Sequence, residues 1–368
     1  MRLATIETRV YRYPLDPPFV AAWDPEPRTS QDATIVIVRS DDGIEGYASG
    51  DALPDRELLE RLLVGRALEP TEIHGILETV DFHHGRNWTL EVAVWDLLGR
   101  ARGEPLWKLL GGSKARIGAY ASSGELVSPE ERVRRCLALR DAGVRAVKIR
   151  LHSTDWRVDL PVIEAVREAV GDALEIMVDA NQGWRMPGDL TPCWTRKTAI
   201  EFVHELERLD VYWLEEPLPT DNVEGYADLR RGTSVRIAAG EMVRTESEAR
   251  DLVLQGAVDV VQPDVVLSGG VEGARRVAAL ADREGKSWSP HTWSNGYGLL
   301  ANLHAALAFS TCPFLEVPFD PPAWSAKRRD WLLPMTMEID ADGTVGPPEG
   351  PGLGVVPDFD ALEQYRVG

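Results

Sequence analysis

Cysteine is scarce: Cys136, Cys193 and Cys312 are odd in number, widely separated and without a CxxC pair, which argues against a disulfide framework or a zinc site and fits a reducing, cytoplasmic setting. No apolar run approaches the ~18 residues of a membrane span, and Met1 leads straight into the alternating stretch from Arg2 to Tyr13 without the basic, apolar and small-residue order of a leader. Positive charge is in deficit. The 59 acidic side chains against 40 basic ones leave a net charge of −19, a field that repels phosphate backbones and anionic lipid, so nucleic acid and membrane are excluded as expected partners. Neither a Gly-rich phosphate cradle nor a Ser-His-Asp order nor a low-complexity segment is present. Small molecules remain, and an acidic one would need a local cation to overcome the global repulsion.

What is there is ordinary globular material: 368 residues, 44% hydrophobic and 27% charged. Residues 2–50 read as β structure, with a β-branched run over 33–38, a turn at Asp41-Asp42-Gly43 and a returning strand over 44–48. The spacing of Leu90, Val94, Leu97 and Leu98 predicts one helix over 87–110, stopped by Gly111-Gly112. From Arg116 the texture changes to short apolar runs, each followed by an amphipathic segment. Ser128-Pro129-Glu130-Glu131 is a capping box with Pro at the first helical position, and Thr245 with Glu248 repeats the device. Strands are expected at 117–121, 146–150, 175–180, 212–216, 237–240, 258–262, 287–290 and 314–316, which is the size of a parallel β/α barrel. A doubly wound sheet is the competing arrangement, without a GxGxxG to support it. The tail is expected to form a strand over 335–339 and to return to the first unit. The chain therefore divides into an α+β capping domain, 1–115 plus 334–368, and a barrel, 116–333.

Ionisable residues at the ends of buried strands are costly unless a partner or a function compensates, and barrel sites lie at that carboxyl end. Here the expected strands end Lys148-Ile149-Arg150, Asp179-Ala180-Asn181, Glu215-Glu216, Gly240-Glu241, Gln262-Pro263-Asp264, Ser289-Pro290-His291 and Leu315-Glu316, each about one βα unit from the next. Asp179, Glu215 and Glu241 would repel one another on adjacent strands, and a divalent cation resolves this. An all-oxygen set favours Mg²⁺ over zinc. Glu216, facing the opposite way along the strand, is expected at the surface.

The ordered set Lys148-x-Arg150, Asp179-Ala-Asn-Gln-Gly-Trp184, Trp213-Leu-Glu-Glu-Pro217, Ala239-Gly-Glu241, Gln262-Pro-Asp264, His291 and Leu315-Glu316, closed by Pro351-Gly-Leu-Gly354, resembles the mandelate racemase subgroup of the enolase superfamily over essentially the whole chain. The resemblance implies an α/β fold, a (β/α)7β modified TIM barrel with its capping domain built from both chain ends, one Mg²⁺, and abstraction of the proton α to a carboxylate. It implies His291 as base with Asp264 supporting its imidazolium, Lys148 on the substrate carboxylate, and Glu316 as a protonated acid facing the developing dianion.

One departure stands out. Members of the subgroup commonly carry Lys-x-Lys where this chain has Arg150, and a guanidinium does not serve as a base. Arg150, Asn181, Trp23 and Asp51 are expected to bind substrate, and His152 is a candidate second base against the reading of a loop histidine. With one base, dehydration is favoured over racemisation: an aldonate or aldarate would lose water to give a 2-keto-3-deoxy acid. Racemase, epimerase or lactone cycloisomerase chemistry on the same site, a silent binding protein, and a Schiff-base aldolase using Lys148 stay open. The expected partners are a small-molecule carboxylate and further copies of the chain.

Overall fold

Alternating apolar residues at the N-terminus form a long strand, β1 (Leu3–Phe19), paired antiparallel with β2 (Arg28–Ser40), which turns through Gly43 into β3 (Glu45–Gly50). The computed structural model describes residues 1–50, 55–309, 311 and 314–367. The central stretch of β2, from Ala33 to Val38, is buried throughout, so both faces of the sheet are covered there. Four helices follow: α1 (Arg56–Leu63), α2 (Pro70–His84), α3 (Trp88–Arg102) and α4 (Leu106–Leu109). Gly46 is where β3 meets α3, and a Cβ there would lie 2.2 Å from the Ala93 carbonyl oxygen, so only glycine permits the approach. The single helix expected over 87–110 is two: Gly103 takes left-handed φ at 68°, and Pro105, which has no N–H, precedes the restart at Leu106.

The second part alternates strand and helix: β4 (Ile117–Ser122), α5 (Pro129–Asp141), β5 (Ala146–Arg150), α6 (Leu160–Val170), β6 (Glu175–Asp179), α7 (Arg196–Arg208), β7 (Trp213–Glu215), α8 (Val223–Arg231), β8 (Arg236–Ala239), α9 (Glu246–Leu254), β9 (Val260–Val261), α10 (Gly270–Arg283), β10 (Ser287–Trp288), α11 (Gly296–Phe309) and β11 (Phe314–Pro318). The strands are parallel and curl in the order β10-β9-β8-β7-β6-β5-β4-β11. The Ser289 hydroxyl, donating to the Phe314 carbonyl at 2.9 Å, links the two ends. The fold is thus α/β, a modified barrel of seven βα units and a final strand. Both sequence-predicted caps form, Ser128 Oγ accepting the Glu131 N–H at 3.3 Å and Thr245 Oγ1 the Glu248 N–H at 3.2 Å.

The tail differs from expectation. Residues 335–339 form no strand; the Met337 N–H is taken by the Asp330 carboxylate at 2.7 Å and its carbonyl by Arg329, so side chains occupy the groups a ladder would need. The strand is instead β12 (Thr344–Val345), antiparallel to β4. Further on, the Leu353 N–H donates to Asp96 Oδ1 of α3 at 2.6 Å and the Val367 N–H to the Val10 carbonyl at 2.9 Å. Among the described residues no helix is long and apolar enough to cross a membrane.

Candidate active site

The inside of the barrel is floored by Tyr120, Ala146, Met177, Trp213, Ala238 and Val260, with Tyr120 and Trp213 edge to face at 5.3 Å. Side chains on one face of a strand recur every second residue. One step toward the carboxyl ends therefore turns Ser122, Lys148, Asp179, Glu215 and Gln262 inward as the next layer. On β8 the same step reaches Gly240, whose left-handed φ of 107° swings Glu241 over the layer instead.

Asp179, Glu215 and Glu241 each offer a carboxylate oxygen within 4.8 Å of the others, and all are buried. Glu241 Oε2 is a buried oxygen with no hydrogen-bond partner, while its Oε1 accepts the Trp184 indole N–H at 2.6 Å. Glu215 Oε2 accepts from Gln262 Nε2 at 2.9 Å and from Trp213 Nε1 at 3.2 Å. Burial pushes the Glu215 carboxyl up to about 8, Lys148 opposing the shift and Asp179 adding to it. Three converging hard oxygen donors, one of them unsatisfied, fit a divalent cation such as Mg²⁺.

Beside this trio His291 Nδ1 lies 3.1 Å from Asp264 Oδ2, and His291 Nε2 lies 3.6 Å from Glu241 Oε2. Asp264 is itself fixed: its Oδ1 accepts from Asn302 Nδ2 at 2.8 Å and from the Val266 N–H at 2.9 Å. An Nδ1 proton held by Asp264 leaves Nε2, on the side of the acids, as the atom that takes up a proton. Burial lowers the His291 pKa, and Glu241 and Asp264 outweigh it, raising it to about 9.

Opposite stand the cations. Lys148 Nζ is 2.5 Å from Glu215 Oε1, 2.7 Å from Glu316 Oε1 and 3.6 Å from Asp179 Oδ2. Burial lowers its pKa, and these carboxylates, Glu215 first, more than reverse the effect. Arg150 donates from Nη1 to Asp179 Oδ2 at 2.7 Å and Asn181 Oδ1 at 2.9 Å, and from Nε to the Ser123 carbonyl at 2.9 Å. Its Nη2 faces Glu316 Oε1 at 3.4 Å and Ser122 Oγ at 3.5 Å. The guanidinium is flanked by the Trp23 ring at 4.5 Å and the Trp293 ring at 5.1 Å. Burial raises the Glu316 pKa, while Lys148, His291 and Arg150 pull it below the ordinary carboxylate value. Its Oε2 accepts the Thr292 N–H at 2.9 Å.

Of the expected binding residues, Asn181 spends its amide on the Leu151 carbonyl, at 2.6 Å, and on Arg150. Trp23 lies over Arg150, and Asp51 falls outside the described residues. His152 pairs with Asp189, Nε2 to Oδ2 at 3.2 Å, rather than with any of the acids above. Glu216 is not at the surface: it is 1% exposed, because its backbone takes left-handed φ at 47° and breaks the strand alternation, turning the carboxylate back onto the Gly240 N–H at 2.8 Å. Asn302 was not singled out by sequence reasoning, although an amide in the largely apolar run of α11 signals a buried partner.

The comparisons with known proteins follow this geometry. A family profile described as enolase C-terminal domain-like matches residues 131–361. The arabinonate dehydratase of Saccharolobus solfataricus is 30% identical over 75% of this chain and 71% of its own length. The 3,6-anhydro-alpha-L-galactonate cycloisomerase of Streptomyces coelicolor is 32% identical over 76% and 71%. A racemase from Streptomyces coelicolor A3(2), solved with bound magnesium, superposes with a TM-score of 0.84 at 26% identity, covering 99% of this chain and 100% of that one. Barrel, carboxylate layer and matched residues together place this chain in the enolase superfamily, as a member of the enolase C-terminal domain-like family.

Proposed function

We propose that this protein is a Mg²⁺-dependent acid-sugar dehydratase, with Asp179, Glu215 and Glu241 as the metal ligands. The observation that carries the reading is the aim of His291 Nε2 at the carboxylate trio while Asp264 holds Nδ1. Relatives named as dehydratases of sugar acids support it, and those named as cycloisomerases mark the alternative.

A proton beside a carboxylate is a weak acid because its loss leaves a dianion, so the site must stabilise charge where it develops. When bound, the divalent ion supplies electrostatic stabilisation of the substrate carboxylate. Lys148 adds a fixed positive charge from the opposite side, held in place by Glu215 and Glu316. Glu241 is the first of the groups that raise the His291 pKa, and with its charge offset by a bound divalent ion His291 Nε2 would be free to take the C2 proton, Asp264 stabilising the imidazolium that results. As the C2–C3 double bond forms, the C3–O bond breaks; the departing hydroxide receives the proton from His291 and leaves as water. The enol then tautomerises to a 2-keto-3-deoxy acid. Sealing the acids from bulk water strengthens each of these interactions: Asp179, Glu215, Glu241 and Lys148 are all 1% exposed or less.

A library of sugar acids incubated with the protein and Mg²⁺ tests the reading through formation of 2-keto-3-deoxy products. Isomerisation of a lactone or anhydro acid without loss of water would move the chain to the cycloisomerases. In parallel, His291→Asn should abolish exchange of the substrate α-proton with deuterium oxide. The same reading includes a cap formed from both chain ends and self-association, for which limited proteolysis and light scattering are the checks.

A further inference from the structure

We propose that the substrate of this site is a sugar acid with a single carboxylate, an aldonate rather than an aldarate, whose far end lies under an aromatic ceiling. The inference rests on the dehydratase reading and narrows it.

The segment joining β1 to β2 crosses over the carboxylate layer, anchored by the Ala22 N–H on the Gly124 carbonyl at 2.7 Å. Its Trp23 meets Trp293 edge to face at 4.7 Å, Phe19 at the end of β1 packs on Trp324 at 4.6 Å, and Trp184 and Met186 join from the loop after β6. The indole N–H groups of Trp184 and Trp293 are already donated, to Glu241 at 2.6 Å and to Ser122 Oγ at 2.8 Å. What these two rings offer a ligand is apolar surface, suited to the C–H faces of a neutral polyol chain.

A second carboxylate buried here would need a cation of its own. Arg150 touches the ceiling, but its donors are engaged by Asp179, Asn181, Ser123, Ser122 and Glu316. Arg28, 5.9 Å from the Trp23 ring, is gripped at two nitrogens by Asp24. Arg185 donates to the Asn181, Trp184 and Thr191 carbonyls and to Gln182 Oε1. Lys148 and His291 belong to the reacting end, His152 is paired with Asp189, and Arg328, beside the ceiling's Trp324, donates to the Ala323 and Pro17 carbonyls. The residues outside the described set, Asp51 to Pro54, Ser310, Cys312, Pro313 and Gly368, include no Lys, Arg or His, so they supply no further cation. The net charge of −19 adds to the cost of bringing in a dianion.

Matched aldonate and aldarate pairs of the same C2 to C5 configuration, such as gluconate with glucarate and galactonate with galactarate, test this on the Mg²⁺-loaded protein. The expected result is a kcat/KM at least about 100-fold higher for the aldonate of the productive pair. Asp24→Asn, which strips Arg28 of its partner, should narrow that ratio about tenfold. An aldarate turned over as well as its aldonate overturns the proposal while leaving the dehydratase reading intact. If neither member of any pair yields a keto acid, the dehydratase reading fails, and ligand-induced shifts in melting temperature decide the substrate class. A larger shift with the aldonate supports the proposal; an equal or larger one with the aldarate overturns it.

Discussion

Asn302 Nδ2 sits 2.8 Å from Asp264 Oδ1, reaching out of a largely apolar helix to hold the carboxylate that holds His291. Asn302→Leu should leave that oxygen with the Val266 N–H alone and lower stability by about 1–3 kcal/mol. A drop in kcat of about tenfold or more, with KM little changed, is expected if Asp264 loses its aim. Steady-state kinetics beside thermal unfolding separates the two effects, and an unchanged kcat in a folded variant would count against the positioning role.

Glu241→Gln keeps the shape of a metal ligand and removes its charge. Mg²⁺ affinity, read by calorimetry, should weaken at least about 100-fold, and chelation of the wild type should abolish turnover reversibly. Full turnover after exhaustive metal removal would sink the metal assignment.

With Arg150 committed to Asp179 and Glu316, proton removal should occur from one face only. NMR in deuterium oxide should show label entering one C2 epimer and no interconversion. Arg150→Lys keeps the charge but loses the planar fork, so Mg²⁺ binding should weaken about tenfold through a loosened Asp179. Epimerisation by the wild type would refute the single-base reading.

His304 lies fully buried in α11, with its Nδ1 accepting the Trp107 N–H of α4 at 3.1 Å. Burial pushes its pKa down to about 4, below the ~6.5 of an unfolded chain. The neutral ring is therefore favoured in the fold, and its contribution is fully present above the unfolded value and lost as pH falls from there through the folded one. Up to about 3 kcal/mol of stability is expected to disappear over that interval. Denaturant unfolding at pH 7 and pH 4.5 checks this, since His304→Gln should show a smaller difference between the two.

Much of the site was legible because it depends on strand ends. Polar residues closing buried runs, one βα unit apart, mark Asp179, Glu215, Glu241, Asp264 and His291 in the sequence, and the two-residue period of a strand explains why they share a mouth. Glu216 escapes that pattern because a left-handed backbone just after β7 cancels the period. The tail strand was misplaced because the groups of residues 335–339 are taken by Asp330 and Arg329, a competition no local pattern displays. The saturation of Arg150 is invisible for the same reason: five acceptors from three separate segments converge on it only in the folded chain.

The burial of Lys148 and the carboxylates beneath the Trp23 and Trp293 contact has a kinetic side. On the proposed function, a substrate is expected to reach them only when the segment carrying Trp23 moves off the barrel loops, and its product to leave the same way. Each cycle would then include breaking and remaking an indole contact, a mechanical event separate from bond chemistry. If that event limits turnover, a slower solvent should retard it while leaving an isotope effect at C2 smaller than the intrinsic one.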